Sequence, residues 1–150
     1  MMLSENFSLD EFLRSQVATR NGIDMTPNQM VTDNLQALVT NVMQPIRTEL
    51  KASVIVTSGF RPTKLNTIIG GSKTSAHRFG RACDFHVIGW EPIDVCDAIK
   101  KMDIVYDQLI HEFGRWIHIG IAEVPRQQDL TATRVNGQVK YLMGIQEVNA

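Results

Sequence analysis

From Trp116 to Ala122 the chain reads "WIHIGIA". As a strand, it puts Ile117, Ile119 and Ile121 on one face and Trp116, His118 and Gly120 on the other. Three β-branched side chains in period two ask for a core on that side only. The other side carries an imidazole, and Gly120 leaves room beside it. "ACDFHVIGW", from Ala82, repeats the pattern, with Cys83, Phe85 and Val87 on one face and Asp84 and His86 on the other. Two strands with one covered and one open face predict a sheet that is mostly antiparallel.

Upstream the period changes. Val31, Leu35, Leu38, Val42 and Ile46 recur at steps of four and three, the buried stripe of a long helix. Thr26-Pro27 reads as its N-cap and first helical residue, and Pro45 predicts a kink or break near Met43. A shorter helix precedes it in "FSLDEFLRS", where Ser8 and Glu11 have capping-box spacing. After the long helix, "ASVIVTSGF" reads as a strand and the stretch from Arg61 to Gly80 as loop with one helical turn. "EPIDVCDAIKKM" is a helix with Ile93, Cys96 and Ile99 on one side. "YDQLIHEF" pairs with "WIHIGIA" around Gly114-Arg115, and Asn136-Gly137 marks a second hairpin in "LTATRVNGQVKYLMGI". Helices first and strands after them define an α+β class, with N-terminal helices packed on a mostly antiparallel sheet. A chain of 150 residues is expected to form one domain, 1–150.

The bulk properties exclude several functions. With 43 % hydrophobic residues, 21 % charged and a net charge of −1, the chain is an ordinary globular one without a global basic field. No apolar run is long enough to span a bilayer, so no membrane insertion is expected. "MMLSENFSLDEF" lacks the basic-then-apolar pattern of a Sec-type signal peptide, which predicts synthesis and folding in a cytoplasm. Cys83 and Cys96 form no disulfide framework and read as free, buried thiols. Arg61, Lys64, Lys73, Arg78 and Arg81 lack interleaved aromatics, so no nucleic-acid partner is expected.

Asp84 and His118 share the open face of the sheet, and the loop before the Asp84 strand carries His77. Two nitrogens and an oxygen on a rigid frame match a catalytic zinc site with its fourth position open. Bound there, the ion lowers the pKa of water and polarises a carbonyl, which amide hydrolysis requires. His86 shares a face with Asp84 and is the rival ligand, whereas His111 falls with Leu109 and Phe113 on the core side. A lone histidine is more often structural than a ligand, and patterning alone stops at a metal site.

Three motifs then occur in order: "SGFRP", "SAHRFGRACDF" and "QLIHEFGRWIHIG". Together they resemble the zinc D-Ala-D-Ala carboxypeptidase and L-Ala-D-Glu endopeptidase family, in its phage endolysin-like branch, from about Phe7 to Ile121. The family pattern Ser-x-His-x-x-Gly-x-Ala-x-Asp is met by Ser75, His77, Gly80, Ala82 and Asp84, and its W-x-H strand by Trp116 and His118. The resemblance implies a Hedgehog/DD-peptidase-like fold and one Zn2+ per chain on His77, Asp84 and His118. It implies that Arg61 stabilises the negative oxygen of the tetrahedral intermediate, that Ser75 contacts substrate, and that Glu112 is the general base. Some relatives carry that acid three residues before the last histidine, where this chain has Arg115. If Phe113, Gly114 and Arg115 form the hairpin loop, Glu112 pairs with Trp116 and lies diagonal to His118; a two-residue loop turns it away.

The expected function is therefore a zinc metallopeptidase cutting a peptide bond in the peptidoglycan stem peptide, as a monomer. Encoded by a phage or prophage, it would reach the periplasm and cell wall by holin-type release or be virion-associated. The alternative is a catalytically silent zinc-binding module of a phage or prophage structural protein. A degenerate copy would have lost Arg61 or Glu112, and this chain has both.

Overall fold

The apolar stripe from Val31 to Ile46 folds as one helical run in three parts. In the computed structural model, which describes residues 1–148, two short helices, α1 (Leu9–Leu13) and α2 (Gln16–Arg20), precede α3 (Gln29–Leu38). The predicted box closes α1, with Glu11 accepting the Ser8 N–H at 2.6 Å. Thr26 is not the cap of α3. Its N–H and hydroxyl both donate to Asp24 Oδ1, and the cap falls to Asn28, whose side chain accepts the Val31 N–H at 2.9 Å. At the place where Pro45 predicts a break, residues Val39–Met43 form a π-helical turn before α4 (Gln44–Leu50). The missing proline donor is absorbed by widening the helix rather than by ending it. Val31, Leu35, Leu38, Val42 and Ile46 are all buried. Truncating a fully buried leucine such as Leu35 to alanine would cost about 2–5 kcal/mol.

Strand β1 (Val54–Ser58) follows, then α5 (Thr63–Ile69) and a 3-10 turn at Ala76–Phe79. The segment between Arg61 and Gly80 is thus more helical than its Gly, Ser and Thr content suggests. Thr63 and Leu65 belong to a two-turn helix that buries Leu65 and Asn66. The rest of the chain is β2 (Ala82–Val87), α6 (Pro92–Lys101), β3 (Gln108–Glu112), β4 (Trp116–Gly120), β5 (Gln128–Val135) and β6 (Gln138–Met143). On α6, Val95, Cys96 and Ile99 are buried and Ile93 half-buried.

The six strands make one sheet in the order β1-β2-β4-β3-β5-β6. Every neighbouring pair is antiparallel except β3 and β5, which run parallel. The architecture is α+β, and the helices cover one face of the sheet. There Phe85, Leu109, Ile117 and Ile119 join Leu35, Met43, Ile46 and Ile99 in the main core. The Cys83 thiol meets the Met43 thioether at 3.5 Å, directly beneath the π-turn. His111 lies on this closed side as expected, buried, with Nδ1 3.0 Å from the Gln146 carbonyl. Asn136 and Gly137 both have positive φ, as the hairpin signal requires.

Candidate metal centre

Asp84 on β2 and His118 on β4 are direct partners in the sheet register. Alternation therefore sets both side chains on the face that the helices leave uncovered. His77 comes from the 3-10 turn, which ends at Gly80 in the left-handed conformation, φ 70°. A Cβ at Gly80 would stand 2.8 Å from the Val31 carbonyl oxygen. The glycine of the motif is therefore needed twice over, to reverse the chain and to let it lie against α3. The turn folds His77 back over β2, so that residues distant in sequence converge.

His77 Nε2 is 3.1 Å from Asp84 Oδ1 and 3.2 Å from His118 Nδ1, and His118 Nδ1 is 3.0 Å from Asp84 Oδ1. These distances are close to the roughly 3.4 Å edge of a tetrahedron with bonds of about 2.1 Å. The other nitrogen of His77 shows that the donors fit a cation. Nδ1 lies 2.7 Å from the Gly59 carbonyl, which can only accept, so Nδ1 carries the proton and Nε2 a lone pair. That lone pair faces the lone pairs of Asp84 Oδ1, a contact that a positive ion between them stabilises. Burial lowers the His77 pKa, outweighing the Asp84 charge, and so keeps the ring neutral as a metal ligand requires. Burial also acts to raise the Asp84 pKa, but the two histidines hold its carboxyl well below the usual range. Burial opposes protonation of His118, yet the Asp84 hydrogen bond and charge push its pKa up.

His86, the rival ligand, is half-buried and stands opposite Ile55 on β1. Two residues along the strand from Asp84, it is displaced by about 6.6 Å from the point where the donors meet. Among the described residues, His77, Asp84 and His118 are the group able to hold a metal ion.

Arg61 sits on the outer oxygen of Asp84, with Nη2 3.0 Å from Oδ2 and Nε donating to Ser58 Oγ at 2.9 Å. Asp84 thus divides its two oxygens between the metal point and the guanidinium. The loop between β3 and β4 is Phe113, Gly114 and Arg115, and Glu112 pairs with Trp116. Glu112 consequently faces the centre, with Oε1 3.8 Å from His118 Nδ1. Burial, then the Asp84 charge, push its pKa up to about 7. The Trp116 indole N–H is buried without a hydrogen-bond partner among the described residues. Ser75 caps the 3-10 turn by accepting the His77 N–H at 3.2 Å, and its hydroxyl hydrogen remains for the cleft.

The three donors, Arg61, Glu112 and Ser75 line one cleft of about 580 Å³ on the open face of the sheet. Of the five basic residues grouped around it in sequence, Arg61 is the one that lines it. Arg78 donates to the Lys73 carbonyl and to Thr63, and Arg81 pairs with Glu123. Sequence reasoning missed the Gly59 carbonyl that orients His77, and it missed Arg126, Leu130 and Tyr141, which close the far side of the cleft. Only the backbone of Gly59 is used, and the other three depend on the register of strands that patterning cannot align.

Three convergent donors beside a carboxylate and a guanidinium, in a cleft on a one-sided sheet, are the parts of a mononuclear metallohydrolase. The family model described as Peptidase M15 matches residues 5–120, and the chain belongs to that family. It is a zinc metallopeptidase of the kind that acts on peptidoglycan. A comparison with curated proteins gave no match. Among the described residues, no helix is long and apolar enough to cross a membrane.

Proposed function

We propose that this chain, as a single domain and a monomer, hydrolyses a peptide bond in the peptidoglycan stem peptide. The bond is of the D-Ala-D-Ala or the L-Ala-D-Glu type, and the setting is endolysin-like lysis encoded by a phage or prophage. Made in the host cytoplasm, the protein would reach the wall by holin-type release. His77, Asp84 and His118 hold zinc. When bound, the ion supplies a Lewis acid that polarises the scissile carbonyl and makes water a better nucleophile.

The protein's own groups do the rest. Glu112 takes a proton from the attacking water and hands it to the leaving amine, a role that its place on the face of His118 suits. Arg61, fixed at Nε and Nη2 by Ser58 and Asp84, offers its remaining N–H groups to the oxygen that becomes negative. Ser75 donates its hydroxyl to a substrate carbonyl. The observation that carries this reading is the three-residue loop that turns Glu112 onto the face of His118. Without that carboxylate the site would be a zinc-binding module and no more.

The test is mass spectrometry of purified peptidoglycan incubated with the protein, with and without a zinc chelator. New peptide fragments that vanish with chelator are expected, and their masses name the bond. Absence of fragments from several wall types, with zinc bound, would leave the silent module as the function.

A further inference from the structure

The stretch matched by the family model ends at residue 120, yet the chain beyond it completes the cleft. Strand β5 joins the sheet parallel to β3, and β6 follows it antiparallel. The register then carries two rows of side chains outwards from the metal centre across the added strands. One row runs Asp84, His118, Ile110, Leu130 and the other Trp116, Glu112, Ala132, Tyr141. Ile110, Leu130 and Ala132 are buried together as a small apolar cluster, separate from the main core, with Phe113 against them. Tyr141 ends the second row on the outermost strand, 59 % exposed, and lines the same cleft as Arg61, His77 and Glu112. Strands lie about 4.8 Å apart, so its backbone is roughly 10 Å from that of Glu112, the span of about three extended residues.

We infer that the β5–β6 hairpin is the specificity wall of this peptidase. The apolar floor that its Leu130 makes with Ile110 of β3 takes an aliphatic side chain of the peptide on the side of the scissile bond away from Arg61. The Tyr141 hydroxyl hydrogen-bonds a peptide group beside that side chain. The inference rests on the peptidase reading above. Partial burial, then the charges of Glu112 and Asp84, raise the phenol pKa, so Tyr141 keeps its proton and can donate as well as accept. The ring adds apolar contact, and the residue binds substrate without touching the proton transfer.

The test uses the zinc-loaded full chain and a purified muropeptide carrying a pentapeptide stem. Steady-state kinetics compare wild type with Tyr141→Phe and Tyr141→Ala, and zinc content and Tm are measured on each. Loss of one hydrogen bond should raise KM about five-fold in Tyr141→Phe, and loss of the ring as well should raise it ten-fold or more in Tyr141→Ala. The kcat should stay within about two-fold, because no transition-state contact is removed. Calorimetric titration of the muropeptide into zinc-loaded Glu112→Gln, with and without Tyr141→Ala, should show the same loss of affinity without turnover. Unchanged KM and affinity in both variants, or a fall in kcat at unchanged KM, would overturn the inference alone. A wild-type protein that neither binds nor cuts the muropeptide would overturn the peptidase reading and this inference with it.

Discussion

Glu112 Oε1 stands 3.8 Å from His118 Nδ1 because Glu112 and Trp116 pair across a loop of three residues, not two. Phe113 and Gly114 both adopt positive φ in that loop, which is how so short a connection holds the register. Shortening the loop by one residue would turn the carboxylate to the closed face. Glu112→Gln keeps the shape and removes the proposed base. It should retain stoichiometric zinc and lose about 10²–10⁴-fold in kcat. Undiminished muropeptide hydrolysis by this variant would exclude Glu112 as the base.

His77, Asp84 and His118 form a group that could hold one metal ion, so on the proposed assignment each deletion should act on metal content before anything else. His77→Ala and His118→Ala should each lose zinc on dialysis against buffer, as read by elemental analysis. Removing one of three protein ligands should weaken affinity at least about 100-fold. Full zinc retention by either variant would dismiss the assignment.

Gly59 supports His77 from behind. Its carbonyl receives the Nδ1 proton, while the Phe60 N–H donates to the Phe12 carbonyl at 2.8 Å. A Cβ at position 59 would lie 2.5 Å from the Phe12 carbonyl oxygen. Gly59→Ala should therefore push the turn off α1, destabilise the fold by about 1–3 kcal/mol and weaken zinc binding. A chemical denaturation curve and a zinc titration check the two effects. A variant of wild-type stability would show that the contact relaxes freely.

Asp107 gives a pH dependence of stability. Side-chain hydrogen bonding from Arg126 is the largest influence on its carboxyl and holds the pKa below the usual value, against burial. Nε and Nη2 of Arg126 lie 2.9 and 2.7 Å from the two oxygens. A lowered folded-state pKa means that the stabilisation is complete above the unfolded value, about 3.9, and is lost as pH falls through the folded value. Arg126 is more than half exposed, so solvent screening keeps the contribution under about 1 kcal/mol. Arg126→Gln should lower Tm at pH 6 and match wild type at the acid end of the profile. A Tm difference that grows towards acid would contradict the ion pair.

Cys83 and Cys96 are both buried and unpaired with each other. Burial raises the Cys83 pKa well above its ordinary value and pushes that of Cys96 up to about 12. Neither should react with a thiol reagent in the native protein at neutral pH, and both should react after unfolding. Rapid native labelling of either would contradict the packing of Cys83 under Met43 or of Cys96 on α6.

Much of the candidate site was legible because its signals are local. The alternation in "ACDFHVIGW" and "WIHIGIA" placed Asp84 and His118 on the open face, and Cys83, Ile117 and Ile119 in the core. The motif around His77 supplied the third donor. Where the reading failed, a nearby competitor had won. Asp24 captured Thr26 and moved the helix cap to Asn28. The residues between Arg61 and Gly80 have loop composition, yet burial of Leu65 pays the cost of a second helical turn.

The sequence by itself determined the periods, the faces and the turns, since these depend on neighbours a few residues apart. It determined which side of each strand is apolar, that Asn136-Gly137 closes a hairpin, and which residues could ligate a metal. The tertiary structure alone decided what meets across the sheet. It set His77 against His118, 41 residues away, and Arg61 on Asp84, 23 residues away. It also ran β5 parallel to β3, bringing Tyr141 to the cleft. Such meetings follow from strand order and register, which the whole core fixes by excluding every other way to bury its apolar faces.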